Sequence, residues 1–174
     1  ATAIGAMRSV VPGDRPFVSV VGDSAAAILA GELGSQRDSR FRLLCQRAST
    51  LKEAERRGIR TRLLSEVGQH GDQDVLVLLD GALDVPNLLQ LLRPRGRLVL
   101  ARPPRFSPDF SSLFRQQVTV LPSAASPVRS GLDVLLKGTL RADGLAERVL
   151  ALHEVGQWWQ QPRARTLVRI GAAR

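Results

Sequence analysis

Phe17-Val18-Ser19-Val20-Val21-Gly22-Asp23-Ser24-Ala25-Ala26-Ala27-Ile28-Leu29-Ala30-Gly31-Glu32-Leu33-Gly34 decides how the rest of the chain is read. Five aromatic, β-branched or small residues stop at Gly22, and a run rich in alanine and leucine follows. That order predicts a buried strand, a tight turn and a helix start, the opening βα unit of a nucleotide-binding sheet. In the glycine fingerprint of such a unit, Gly22 holds the first position, Ser24 the second and Ala27 the third. The scaffold is legible while the phosphate grip is eroded.

Working outward, the same alternation repeats. Ala1 to Val10 reads as a short helix ending before the turn Pro12-Gly13-Asp14, and Gly34 reads as the C-cap of the alanine-rich helix. Strands are predicted at Phe41–Cys45, Ile59–Leu64, Val75–Leu79, Arg97–Ala101 and Val118–Leu121. Between them fall helices over Leu51–Arg57 (capped by Ser49 or Thr50 and ended by Gly58), from Asp84 through Leu92, and over Asp109–Arg115. Pro94-Arg95-Gly96 reads as a turn into the fifth strand. Six strands alternating with helices make an α/β protein with a doubly wound, six-stranded parallel sheet.

Beyond about residue 125 the pattern changes. Leu132–Leu136 reads as a helix ended near Gly138, Leu145–Leu152 is mixed, His153–Gln160 is helical, and Thr166–Ile170 is a closing strand. That last strand has no place in the six-stranded core and is expected to pair with something outside it. Residues 1–125 are expected to form the core, and 126–174 to complete the same domain.

With 174 residues, 44% hydrophobic and 24% charged, the chain is long enough for one well-packed domain and has the composition of a soluble one. No apolar run approaches a membrane span and no signal peptide is visible, so no membrane partner and a cytoplasmic setting are expected. The chain opens on Ala1 rather than methionine, which reads as processing or excision. One cysteine, Cys45, excludes an internal disulfide and a multi-cysteine zinc cluster. The net charge of +9 comes almost wholly from arginine, in one group between Arg40 and Arg62 and another between Arg93 and Arg105. Tyrosine is absent and other aromatics are few. The arginines also scatter over strands, helices and loops, so a phosphate-binding face in an arginine-rich protein is preferred to a nucleic-acid footprint.

The order of these motifs resembles the cofactor-binding domain of the medium-chain dehydrogenase/reductase family, which includes zinc alcohol dehydrogenases and quinone reductases. Four features carry the resemblance. Val11-Pro12-Gly13-Asp14 lies just before the first strand, and Gly22-Asp23-Ser24-Ala25-Ala26-Ala27 sits at the glycine fingerprint. Val75–Asp80, a helix and Leu92-Arg93-Pro94-Arg95-Gly96-Arg97-Leu98-Val99-Leu100 look like the family's fourth and fifth strands. Lys137-Gly138-Thr139-Leu140, followed by Leu152–Trp159 and a closing strand, looks like its C-terminal return. The resemblance implies a Rossmann fold and a parent enzyme moving hydride between NADP or NAD and an alcohol, carbonyl or enone. It also implies a homodimer through the Val118–Leu121 edge and a catalytic domain, with the zinc ligands or substrate pocket, that this chain lacks. The chain alone is expected to be inactive.

Residue by residue, Gly22 permits the turn, Ser24 offers a hydroxyl where backbone should approach phosphate, and Ala27 replaces the packing glycine. Asp23 repels a diphosphate unless its carboxylate turns away. After the second strand, Gln46-Arg47 stands where an NAD site wants an acid. A guanidinium there suits the extra phosphate of NADP. Asp80, Gly81 and Ala101 fall at the C-terminal edge of the sheet and, by the resemblance, border the nicotinamide; Asp80 also suits a turn or capping role. Cys45 reads as a buried packing residue, His70 and His153 as ordinary, and Trp158-Trp159 as packing. No catalytic residue and no metal site is expected. The alternatives are a degenerate Rossmann domain kept for subunit association and, behind it, an S-adenosylmethionine-dependent methyltransferase-like domain.

Overall fold

The computed structural model describes residues 1–10, 16–36, 40–68, 70–80, 85–103, 110–124, 126–138, 140–141, 145, 148–151 and 166–169. In chain order these form α1 (Thr2–Arg8), β1 (Val18–Val21), α2 (Ala25–Ser35), β2 (Phe41–Cys45), α3 (Ala48–Arg56), β3 (Thr61–Leu63) and β4 (Gln73–Leu78). Then come α4 (Val85–Leu89), β5 (Leu92–Leu100), α5 (Phe110–Arg115), β6 (Thr119–Pro122), α6 (Val128–Leu136), β7 (Arg148–Ala151) and β8 (Thr166–Arg169). Pro12-Gly13-Asp14, Gly81, Asp84, His153 and the tryptophan pair lie outside the described residues. The chain divides into two compact units, Ala1–Leu140 and Arg141–Arg174.

In the first unit all six strands are parallel, in the order β3-β2-β1-β4-β5-β6. Every strand pair is joined by a crossover rather than a hairpin, as parallel pairing requires. The reversal of order between β1 and β4 creates the switch point where such sheets take ligands. Strand side chains alternate between faces, so Val20, set beside Leu43 and Val77, lines one face with them. Val21, Leu44, Leu76, Leu78 and Leu98 join Leu88, Leu89, Leu91, Leu92 and Leu113 in a buried cluster. A sheet covered on both faces explains why β1 and β4 read as continuous apolar runs.

Helix α2 crosses the sheet on small residues. Ala27, Ala30, Gly31 and Gly34 are buried, and a Cβ on Gly31 would lie 3.1 Å from Ile59. Gly34 is not the C-cap: the helix continues to Ser35, and Gln36 caps it. Its glycine is required by packing, because a Cβ there would stand 2.1 Å from the Phe41 ring. Gly34→Ala is therefore expected to destabilise by about 2 kcal/mol, overpacking outweighing the helix-propensity gain. Thermal denaturation reads this as a fall of roughly 4–8 °C, and an unchanged midpoint would show that the ring swings aside freely.

Three further boundaries differ from expectation. β5 begins at Leu92, and Pro94-Arg95-Gly96 lies within it as an irregularity, where the register with β4 shifts and Arg95 adopts φ 63°. The Arg95 N–H donates to Gln116 O at 2.7 Å, which holds that kink. α3 starts at Ala48, so neither Ser49 nor Thr50 caps it. α6 begins at Val128, ahead of the Leu132–Leu136 stretch read as helical, and ends before Gly138 at φ 65°, as expected.

In the second unit, β7 and β8 pair in parallel, Arg148 beside Thr166 and Ala151 beside Arg169. The closing strand thus pairs outside the six-stranded sheet, as expected, and its partner is the stretch read as mixed. Among the described residues, no helix is long and apolar enough to cross a membrane.

Candidate functional site at the carboxyl ends of the strands

The turn after β1 is set by glycine. Gly22 has φ 155°, its N–H donates to Leu44 O at 3.0 Å, and a Cβ would lie 2.8 Å from the Asp80 carboxylate and 3.0 Å from Ala27 Cβ. An L side chain is excluded on both counts. Ser24 then caps α2, its Oγ accepting from Ala27 N at 3.3 Å. Ala27 lies fully buried beneath the turn. Ser24 therefore works as an N-cap, a use its place in the fingerprint did not announce.

Two carboxylates organise the edge. Asp80, just past the end of β4, accepts at Oδ2 from the backbone N–H of Asp23 and, at 3.0 Å, from that of Ser24. Asp23 is buried and turns away from the mouth of the turn. Its oxygens accept from Gln46 N at 3.1 Å and Arg47 N at 3.0 Å. Arg47 occupies the N-cap position of α3 and offers no capping bond from its own side chain. Asp23 supplies that cap from across the sheet, placing negative charge at a helix N-terminus where the dipole favours it. The ends of β1, β2 and β4 are thus tied together by two acids.

Gln46 and Arg47 are exposed. Beside Gln46 opens a cavity of about 350 Å³, lined also by Leu64, Ser65, Val67, Asn87, Leu88 and Leu91. Leu64 to Val67, Asn87 and the end of α4 were not anticipated as site residues. They sit in separate apolar or turn-like segments, and only the fold brings them to Gln46. Ala101 is half-buried, with its N–H donating to Leu78 O at 2.9 Å, one strand away from Asp80. Gly81 lies outside the described residues.

The edge combines the N-terminus of α2 with a partly apolar hollow beside Gln46. The first-turn amides of Ala25 and Ala26 have no intrahelical acceptor and face the end of a helix dipole that attracts anions. Cys45 is buried, and burial pushes its thiol pKa up, partly opposed by its contact with Thr61 Oγ1. A thiol held protonated is a poor nucleophile. Among the described residues, no group of His, Cys, Asp and Glu is placed to hold a metal ion.

No protein-family model matches the chain, and no curated protein matches it. Solved structures match it over nearly its whole length. A structure described as a zinc-binding dehydrogenase from Sinorhizobium meliloti, bound to NADP, superposes with a TM-score of 0.79 at 17% identity over 97% of this chain. L-idonate 5-dehydrogenase from Escherichia coli gives 0.78 at 14% over 98%, and alcohol dehydrogenase TADH from Thermus sp. ATN1 gives 0.76 at 19% over 98%. The chain covers 56%, 54% and 55% of those chains respectively. This chain has the Rossmann fold found in zinc-dependent medium-chain alcohol dehydrogenases.

Proposed function

We propose that this chain is the cofactor-binding domain of an alcohol dehydrogenase-like oxidoreductase and takes a nicotinamide dinucleotide across the ends of β1, β2 and β4. The observation that carries the reading is the glycine turn at the switch point, with Gly22 at φ 155° feeding a serine-capped helix. The Ala25 and Ala26 amides would receive the pyrophosphate, and the cavity beside Gln46 the adenine. Arg47 would grip a 2′-phosphate, which favours NADP over NAD because no acid stands there for a ribose hydroxyl pair. Asp80 and Ala101 would border the nicotinamide, the group that carries hydride. The chain covers little more than half of each structural neighbour. The proton donor, the substrate pocket and any zinc would therefore come from residues beyond this chain, which alone binds without turnover.

Titration of thermal stability with NADPH, NADH and S-adenosylmethionine tests this. NADPH is expected to stabilise by about 2.7 kcal/mol at a hundredfold excess over its Kd. NADH should bind about tenfold more weakly, and Arg47→Gln should erase that difference. A shift with S-adenosylmethionine alone would replace the reading with a methyltransferase-like one.

No shift with any of the three would leave a second reading, a degenerate domain kept for subunit association. It is favoured by the Asp80 carboxylate on the turn amides and by an apolar surface at the β6 edge. There Phe114 is 84% and Val120 42% exposed. An open edge strand pairs readily with a second copy, and a homodimer through β6 is proposed under either reading.

A further inference from the structure

The opposite edge of the sheet, where the strands begin, carries a cleft of about 680 Å³ that the proposed function does not use. It is lined by Arg40 and Arg42 at the start of β2, Arg60 and Arg62 at the start of β3, and Arg93 in β5, around Phe17 and Thr61. Five strand residues separate this edge from the carboxyl ends of β2, about 15 Å at the rise of a strand. The arginines sit far apart in sequence and are brought together only by the order of the strands.

Their arrangement sets like charges beside one another. Leu44 pairs with Arg62, and Leu43 N donates to Arg60 O at 2.8 Å. Arg42, Arg60 and Arg62 therefore stand on one face of two neighbouring strands, a cross-strand juxtaposition of like charge that destabilises a sheet. Burial lowers the pKa of Arg42, Asp72 works against that lowering, and Arg62 adds to it. The Arg42 guanidinium also lies 4.1 Å above the centre of the Phe17 ring, which holds it in place. Two acids line the cleft. Asp74 is engaged, accepting from Phe17 N at 2.7 Å and meeting Arg93, while Asp72 accepts from Gln73 Nε2 at 2.6 Å. Among the described residues that line it, five guanidinium groups and two carboxylates meet in this hollow.

We propose that this cleft is a second anion site that binds a compact polyphosphate, either free or as the phosphate chain of a nucleotide. Guanidinium groups match phosphate oxygens in pairs, and several converging on one hollow suit several linked phosphates. The volume falls within the range of small-molecule sites. A concave pocket, rather than a positive strip along a convex face, favours a small ligand over a nucleic-acid backbone.

Calorimetric titration of the full chain with inorganic triphosphate, ATP and a short DNA duplex, at low and high salt, tests the site. Triphosphate is expected to bind, more weakly at high salt, and Arg42→Gln/Arg62→Gln should weaken it by about tenfold or more. The matched variant Arg102→Gln/Arg129→Gln removes equal charge elsewhere and should leave binding intact. ATP and triphosphate of equal affinity would identify free polyphosphate as sufficient, whereas ATP binding tenfold tighter, in competition with triphosphate, would identify the nucleotide. Without ligand, the exposed Arg62→Gln single variant should melt at or above the parent temperature, since it removes repulsion, and should still weaken triphosphate. Equal loss in both double variants, absence of triphosphate binding, or a duplex that outcompetes triphosphate would each overturn the proposal.

Discussion

Arg57→Ala is expected to cost about 3–5 kcal/mol, because it removes the buried guanidinium that two buried carboxylates share. The Arg57 side chain, just past the end of α3, is 4% exposed. Its Nε donates to Glu53 at 2.8 Å and its terminal nitrogen to Glu32 on α2 at 3.1 Å. The two glutamates are themselves only 10% and 8% exposed. Glu53 retains Arg56 at 3.2 Å, but that guanidinium is 73% exposed and screened, so it replaces little. The whole cluster is a different matter from its broken half. Glu32→Leu/Arg57→Met/Glu53→Leu, which removes the three buried charges together, should lie within about 2 kcal/mol of the parent. Urea denaturation of both variants gives the comparison. A loss below about 1 kcal/mol would show that water reaches the glutamates once the arginine is gone.

Asp80 has the other large effect, and it separates stability from binding. Asp80→Ala leaves the amides of Asp23 and Ser24 without their acceptor and should cost about 2–3 kcal/mol, two hydrogen bonds to a charged group being lost. Asp80→Asn keeps an oxygen in place and should cost about 1 kcal/mol. The asparagine variant removes a negative charge from beside the expected path of a pyrophosphate, so NADPH should bind it about tenfold more tightly than the parent. Weaker binding instead would mean that the Asp80 carboxylate itself holds the cofactor, through a ribose hydroxyl. Binding absent in parent and variant alike would favour the degenerate domain.

How much of this was readable in the chain differs from element to element. β2 falls on Phe41–Cys45 as expected, and the parallel sheet followed from apolar runs that only two-sided burial explains. The start of β4 was missed because Gln73 and Asp74 are polar, yet Gln73 is paired with Ser19 and Asp74 with the Phe17 N–H, partners more than fifty residues away. Pro94-Arg95-Gly96 has the composition of a turn, and the chain does kink there, but pairing with β4 on either side of it, at Leu92 and from Arg97, keeps both parts in one strand. Gly34 looked like a cap because the helix-ending and the close-packed glycine have the same local signature. At the candidate site, Gly22 and Ser24 were legible from local geometry. The destinations of the Asp23 and Asp80 carboxylates were not, since a side chain's partner across the sheet leaves no mark on its own neighbours in sequence.

The two acid ties at the carboxyl edge have a consequence for the domain's life without a cofactor. In a sheet whose turn amides wait for phosphate, the empty protein carries unmet donors at its most exposed rim and leans on occupancy to remain folded. Here Asp80 already fills two of those turn donors, and Asp23 fills two more backbone donors ahead of α3. The chain carries its own stand-in for part of the anion, so its empty turn is already partly satisfied.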